Sequence, residues 1–199
     1  MIVFRHADPR LPYLCEEANQ PSARWHDTGE GPVHYFADTP DGAWAEFLRH
    51  EEIQDPADLA TIRRAIWAVE IPDDESAASP ALPAVTVTGG TGTYRVCREE
   101  ARRLRAGGAT RIDVPSAALV AGGARGQCVD GGLTPGPPRA GRTIVLFGRR
   151  SSLVGWRAAY EGRPTEELLV RVRHLVLGTH APGARTGAKT GARRAGRGS

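Results

Sequence analysis

Apolar and polar positions alternate with a period of two in several short stretches of this 199-residue chain, as they do in strands with one face on a core. Ile2 to Phe4 opens the chain as a short strand. Val33, Tyr35 and Ala37 then alternate with His34 and Phe36. Ala65 to Ile71 sets Ile66, Ala68 and Glu70 on one face and Trp67, Val69 and Ile71 on the other. Thr110 to Val114 is a further strand, running into Pro115-Ser116 and Ala117 to Ala121. Arg142 to Phe147, RTIVLF, is the clearest buried strand of the chain.

The period changes between these stretches. Thr39-Pro40 reads as an N-cap followed by proline at the first helical position, with Asp41 in the first turn. The pattern predicts a helix from Pro40 to about Glu52 whose apolar face is Ala43, Trp44, Phe47 and Leu48. A shorter helix is expected over Pro56 to Arg64. Asp73 to Pro83 is a linker-like loop. Tyr94 to Ala106 carries a narrow apolar stripe of Val96, Cys97, Ala101 and Leu104, and Gly107-Gly108 stops it. The apolar run Ala84 to Val87 reads as a strand ahead of Gly89-Gly90-Thr91-Gly92. That glycine run lacks the third glycine of a dinucleotide fingerprint and no Gly-Lys-Ser/Thr follows it, so a turn is expected.

Gly122 to Gly141 is rich in glycine and proline and is expected to be a loop. Leu153 to Tyr160 fits neither period clearly, and Leu168 to Val176 suits a strand or a helix. Short strands between irregular helices, without a regular βαβ rhythm, give an α+β class. One domain over 1–179 and a Gly/Ala/Arg-rich tail over 180–199, disordered by composition, account for the length.

Composition narrows the function. No run of 18 apolar residues exists, and Arg5, His6 and Asp8 fall where a signal peptide needs its apolar stretch, so a cytoplasmic protein is expected. The formal net charge of +3 belongs to the tail, which holds Arg185, Lys189, Arg193, Arg194 and Arg197 and no acid. The remaining body has 21 basic against 23 acidic residues, which gives nucleic acid binding no support. Cys15, Cys97 and Cys128 are an odd number, widely spaced, and read as reduced thiols. Neither a C-x-x-C pair nor H-E-x-x-H occurs, and no metal is expected. The six histidines show no ligand spacing and read mostly as surface residues.

A few residues remain that suit a nucleotide. Trp25 and Tyr35 lie near Arg24, His26 and His34: they are either core aromatics beside a solvated arginine, or a site where a guanidinium binds a diphosphate bidentately while a ring stacks on a base. Glu46 lies over 100° from the centre of the apolar helix face, towards His50. It is either a solvated glutamate or a carboxylate at a cleft edge facing a developing oxocarbenium ion. Ser116 lacks a G-x-S-x-G elbow and reads as a polar anchor.

Arg24-Trp25, the strand Pro32 to Ala37, and Thr39-Pro40 followed by Ala43-x-Ala45-Glu46 together resemble the RES domain family. Phe4-Arg5 and Val114-Pro115-Ser116 match further parts of its pattern, while Ser22-Ala23-Arg24-Trp25-His26 departs from its usual Gly-Arg-Trp-Asn segment. The resemblance implies an ADP-ribosyltransferase-like fold with short strands around an NAD-binding cleft. It implies the toxin of a bacterial toxin–antitoxin pair that cleaves the nicotinamide–ribose bond of NAD+ by hydrolysis or phosphorolysis. NAD+ would be the substrate, phosphate a possible second one, and a helix-turn-helix antitoxin the partner. On the same resemblance Arg24 would bind the phosphates, with Arg5 beside it, and Tyr35 would stack near the nicotinamide next to Trp25. Glu46 would act in cleavage and Ser116 would be a polar contact. The alternatives are ADP-ribosyl transfer to a protein or small molecule, and a catalytically inactive relative that only binds.

Overall fold

The computed structural model describes residues 1–73 and 76–175. The expected tail, 180–199, lies outside them. A six-stranded antiparallel sheet forms the centre, in the order β4 (Arg111–Pro115), β7 (Arg142–Phe147), β2 (Val33–Ala37), β1 (Ile2–Ala7), β3 (Arg64–Glu70), β8 (Gly155–Gly162). Helix α1 (Pro40–His50) and helix α3 (Tyr94–Ala106) lie on one face. Single helical turns, α2 (Ala84–Val87) and α4 (Glu166–Leu169), pack beside them. This is an α+β fold.

Both faces of the sheet are covered. Under α1, Leu48 and Ala45 are fully buried against Ile66, Leu119 and Leu168. Under α2 and α3, Val87, Cys97 and Ala101 meet Ile112, Val145 and Trp25. On the opposite face Val3, Phe36, Val69, Ile144 and Leu146 pack against Tyr13, Leu14 and Leu153 from loops. That second cover explains His34, which is fully buried on β2 because the alternation leaves no solvent face for a polar residue to occupy. His26, outside the strands, is nearly as buried, beside the Tyr35 hydroxyl.

Helix α1 starts as the sequence predicts. Thr39 Oγ1 accepts the Gly42 N–H at 3.0 Å. The helix ends at His50, two residues early, where Glu52 turns to φ 53°. Gly42 is needed for contact: a Cβ there would lie 2.8 Å from Ala37 Cβ, so helix and strand meet closely.

Several expectations change. Ala84–Val87 is a helical turn, not a strand: Val85 is exposed, only Val87 is buried, and Thr88 Oγ1 donates to the Ala84 carbonyl. Pro56–Thr61 is a 3-10 turn that yields to β3 at Arg64. The loop at 122–141 contains a hairpin, β5 (Gln127–Val129) with β6 (Leu133–Pro135), turned by Gly131 and Gly132 at positive φ. Gly155–Gly162 is the edge strand β8. Of the stretch Leu168 to Val176, Val176 lies outside the described residues; the rest begins in the turn α4, after which Val172 bridges Leu119.

The strand registers open a gap in the sheet. β1 pairs with β3 over six residues, and β2 with β7 over five, but β1 and β2 share one pair, Phe4 with Ala37. Beyond it Arg5 and His6 part from Phe36 and Tyr35.

Candidate active site

A cavity of about 200 Å³ lies over this gap. Its floor follows from the registers: Val114, Thr143, Ala37 and Phe4 stand opposite one another on four adjacent strands and share a face. Tyr35 and His6 lie on that face by alternation. Arg5 and Phe36, which alternate to the other face, also line the cavity, so it reaches into the opening between β1 and β2. The walls are Glu46, Arg49 and His50 of α1, the segment 23–25, Val87, Tyr94 and Ala117.

Arg24, Trp25, Tyr35, Glu46 and Arg5 are thereby brought together. Helix α3 fixes the segment that carries Arg24: Arg98 Nε donates to the Ala23 carbonyl at 2.7 Å, Arg102 pairs with Glu30, and Arg105 donates to the Glu30 carbonyl at 2.8 Å. The Arg24 guanidinium rests 4.5 Å from the centre of the Tyr94 ring and donates to Gly89 O at 2.6 Å and Thr93 Oγ1 at 3.1 Å.

Tyr35 is half-buried, and its hydroxyl accepts the Trp25 N–H at 3.1 Å and lies 3.0 Å from His26 Nδ1. Burial pushes its pKa up from the ordinary value, so the hydroxyl stays protonated and pins the 23–26 segment. Trp25 is almost fully buried, and its ring belongs to the core beneath α3 as well as to the cavity wall.

Glu46 is the carboxylate of the cavity. Thr143 Oγ1 donates to its Oε1 at 3.2 Å, and His50 Nε2 stands 3.8 Å from its Oε2. Its side chain is 24% exposed, open to the cavity and able to face a cation there.

Arg5 lies 5.9 Å from the Phe36 ring centre, with a buried Nη1 that has no hydrogen-bond partner. Burial lowers its pKa from the ordinary value. Ser116 does not reach the cavity, although Pro115 and Ala117 line it. Its hydroxyl accepts the N–H groups of Ala118 and Leu119, both at 3.2 Å, and so closes the turn after β4. The expected pocket contact is a backbone anchor.

Sequence reasoning missed Arg49, Thr143, Tyr94 and His6. Arg49 had a signal, since it follows Glu46 by three residues and shares its side of α1. Burial, then the charges of Arg64, Arg5 and His50, lower the His6 pKa to about 3, so this cavity residue is neutral. Among the described residues no group of three or more His, Cys, Asp or Glu could hold a metal. No helix among them is long and apolar enough to cross a membrane.

Residues 2–129 match the RES domain. The chain belongs to the RES domain family. A stretch of 64 residues is 47% identical to the Toxin Res protein of Pseudomonas putida, covering 32% of this chain and 41% of that protein. A chain of the M. tuberculosis MbcT–MbcA toxin–antitoxin complex superposes with a TM-score of 0.55 at 12% identity, covering 85% of this chain and 86% of that one. At that identity the likeness is one of fold. The RES match takes in β1, β2 and α1, which supply Arg5, Tyr35 and Glu46, and the segment before β2 that carries Arg24.

Proposed function

We propose that this RES domain chain is an NAD+-consuming enzyme and the toxin of a toxin–antitoxin pair. The observation that carries the reading is that Glu46, Arg24 and Tyr35, on three successive elements, line one cavity. A volume of about 200 Å³ is below that of pockets enclosing a whole drug-sized ligand. It suits the nicotinamide–ribose end of a dinucleotide, with the rest of the substrate lying outward.

The chemistry needs little acid catalysis. Breaking the bond between ribose C1″ and the pyridinium nitrogen leaves the electron pair on nitrogen, and nicotinamide departs neutral. Positive charge develops on the ribose, and the Glu46 carboxylate, oriented by Thr143, faces it. Arg24 holds the diphosphate and the Tyr35 ring bounds the site of the departing base. Attack by water gives ADP-ribose and a proton; attack by phosphate gives ADP-ribose-1″-phosphate. The partner in this reading is an antitoxin with a helix-turn-helix, as implied by the RES resemblance.

Incubation of purified protein with NAD+, with and without phosphate, followed by mass spectrometry of the products, tests the reading. Wild type should release nicotinamide, and Glu46→Gln should slow release by about 10²-fold or more, the cost of removing one electrostatic stabiliser. Intact NAD+ under both conditions would refute it.

A further inference from the structure

Two arginines of the cavity converge on one neutral oxygen. Arg24 Nη2 donates to the Gly89 carbonyl at 2.6 Å, and Arg49 Nη2 donates to the same oxygen at 3.0 Å. Arg24 is 7% exposed and Arg49 2%. Neither forms an ion pair with a carboxylate among the described residues. Their other partners are the Thr93 hydroxyl and the carbonyls of Thr86, Ala117 and Arg173. Burial lowers the Arg49 pKa; Glu46 opposes that shift and the Arg24 charge adds to it. Two buried like charges that share only uncharged acceptors form a pair whose electrostatic complement is an anion.

Guanidinium forks aimed at one point are the arrangement that binds phosphate oxygens with two donors each. The Gly89 carbonyl stands where such an oxygen would be held. It is carried on a short segment between α2 and α3. Its position depends on Thr93, whose Oγ1 donates to the Gly90 carbonyl at 2.8 Å while accepting from Arg24 Nη1 at 3.1 Å. A Cβ on Gly89 would meet Thr93 Cγ2 at 2.6 Å, so the segment is closed tightly on itself.

We infer that Arg24 and Arg49 together form a seat for the diphosphate of a nucleotide, and that the Gly89 carbonyl fills this seat until the ligand displaces it. The inference rests on the NAD+ reading for the identity of the diphosphate. Arg49 is then a binding residue in its own right. The segment from Thr88 to Thr93 competes with the ligand, so weakening its anchorage strengthens binding. A purely structural Arg49 or Thr93 gives the opposite sign, because loosening the segment would then only damage the site.

Isothermal titration of the full chain with ADP and with adenosine separates these cases. Arg49→Gln should weaken ADP binding by at least tenfold and leave adenosine unchanged. Thr93→Val, which removes both hydroxyl bonds, should tighten ADP binding several-fold. Amide exchange over residues 88–93 of the wild type should quicken when ADP binds.

A wild type that does not bind ADP overturns the inference. So does a folded Arg49→Gln variant with wild-type ADP affinity, or a Thr93→Val variant that binds ADP no better than wild type. If Arg49→Gln fails to fold, Thr93→Val decides alone. A chain that binds ADP in this manner yet leaves NAD+ intact would refute the proposed activity and leave the seat standing. A chain that degrades NAD+ but fails the titration tests would do the reverse.

Discussion

Stability should fall steeply between pH 7 and pH 5, and two histidines set the size of the fall. His34 is fully buried on β2, and Glu16 Oε1 lies 3.3 Å from its Nε2. Burial, and then the Arg5 charge, lower its pKa from 6.5 to about 4, a shift that Glu16 only partly opposes. His6 is lowered to about 3, and its Nδ1 lies 3.3 Å from Arg64 Nη2, the donor of that pair. Between pH 6.5 and these lowered values the unfolded chain binds protons that the folded chain refuses, so stability drops as pH falls through the window. At pH 5 each histidine contributes a loss of about 2 kcal/mol, and the pair about 4 kcal/mol. Burial also lowers the pKa of His26 and of His174, which adds in the same direction. Carboxylates act elsewhere: the Arg103 hydrogen bond lowers Glu100 from 4.5 to about 2, so its contribution is lost only at more acid pH. Urea unfolding at pH 7 and pH 5 measures the fall directly. Against a typical total of about 5–15 kcal/mol it is large. His34→Gln should shrink it by about 2 kcal/mol. Equal wild-type stability at the two pH values, within about 1 kcal/mol, would refute the reasoning.

Thr143→Val should lower kcat for NAD+ about tenfold with KM unchanged, as expected for a lost hydrogen bond to a charged group worth about 1.5 kcal/mol, and Thr143→Ser should restore it. Steady-state kinetics of the two variants tests whether the Thr143 hydroxyl orients Glu46. Gly42→Ala puts a methyl group 2.8 Å from Ala37 Cβ. It should cost about 2 kcal/mol in urea unfolding, as overpacking between a helix and a strand does, and a neutral result would show that α1 has room to move.

Much of this site was legible because its signals are local. Thr39-Pro40 capping an apolar stripe needs no knowledge of the rest of the chain, and the Thr39–Gly42 bond is where the pattern puts it. Tyr94–Ala106 ends at Gly107-Gly108, with Gly108 at φ 88°. Residues whose roles depend on distant cover were misread. His34 looks like the solvent side of an alternating strand, and only the loops packed on the second face bury it. Ser116 reads from its own surroundings as a polar anchor, and its hydroxyl does accept two local amide groups; only the family resemblance put it in the pocket. The run Ala84–Val87 is a helical turn of which only Val87 is buried, in the cluster beneath α3. The opening between β1 and β2 was invisible for the same reason: it is a property of strand order and register, not of any one stretch.

Convergence of Arg24, Tyr35 and Glu46 has its own cause. Their spacing of 11 residues places them on a loop, a strand and a helix, so neither a common face nor a shared element brings them together. The chain between Tyr35 and Glu46 does so, because β2 passes into α1 through a turn closed by Thr39 and made tight by Gly42. That turn folds α1 back over the face of β2 that carries Tyr35, and sets Glu46 beside Thr143 on the next strand. Arg24 is brought in from outside by α3, whose arginines grip the 23–30 segment, and by the Tyr35 hydroxyl on the Trp25 amide. Tyr35 therefore does two things at once: its ring bounds the cavity and its hydroxyl holds the wall from which Arg24 reaches in.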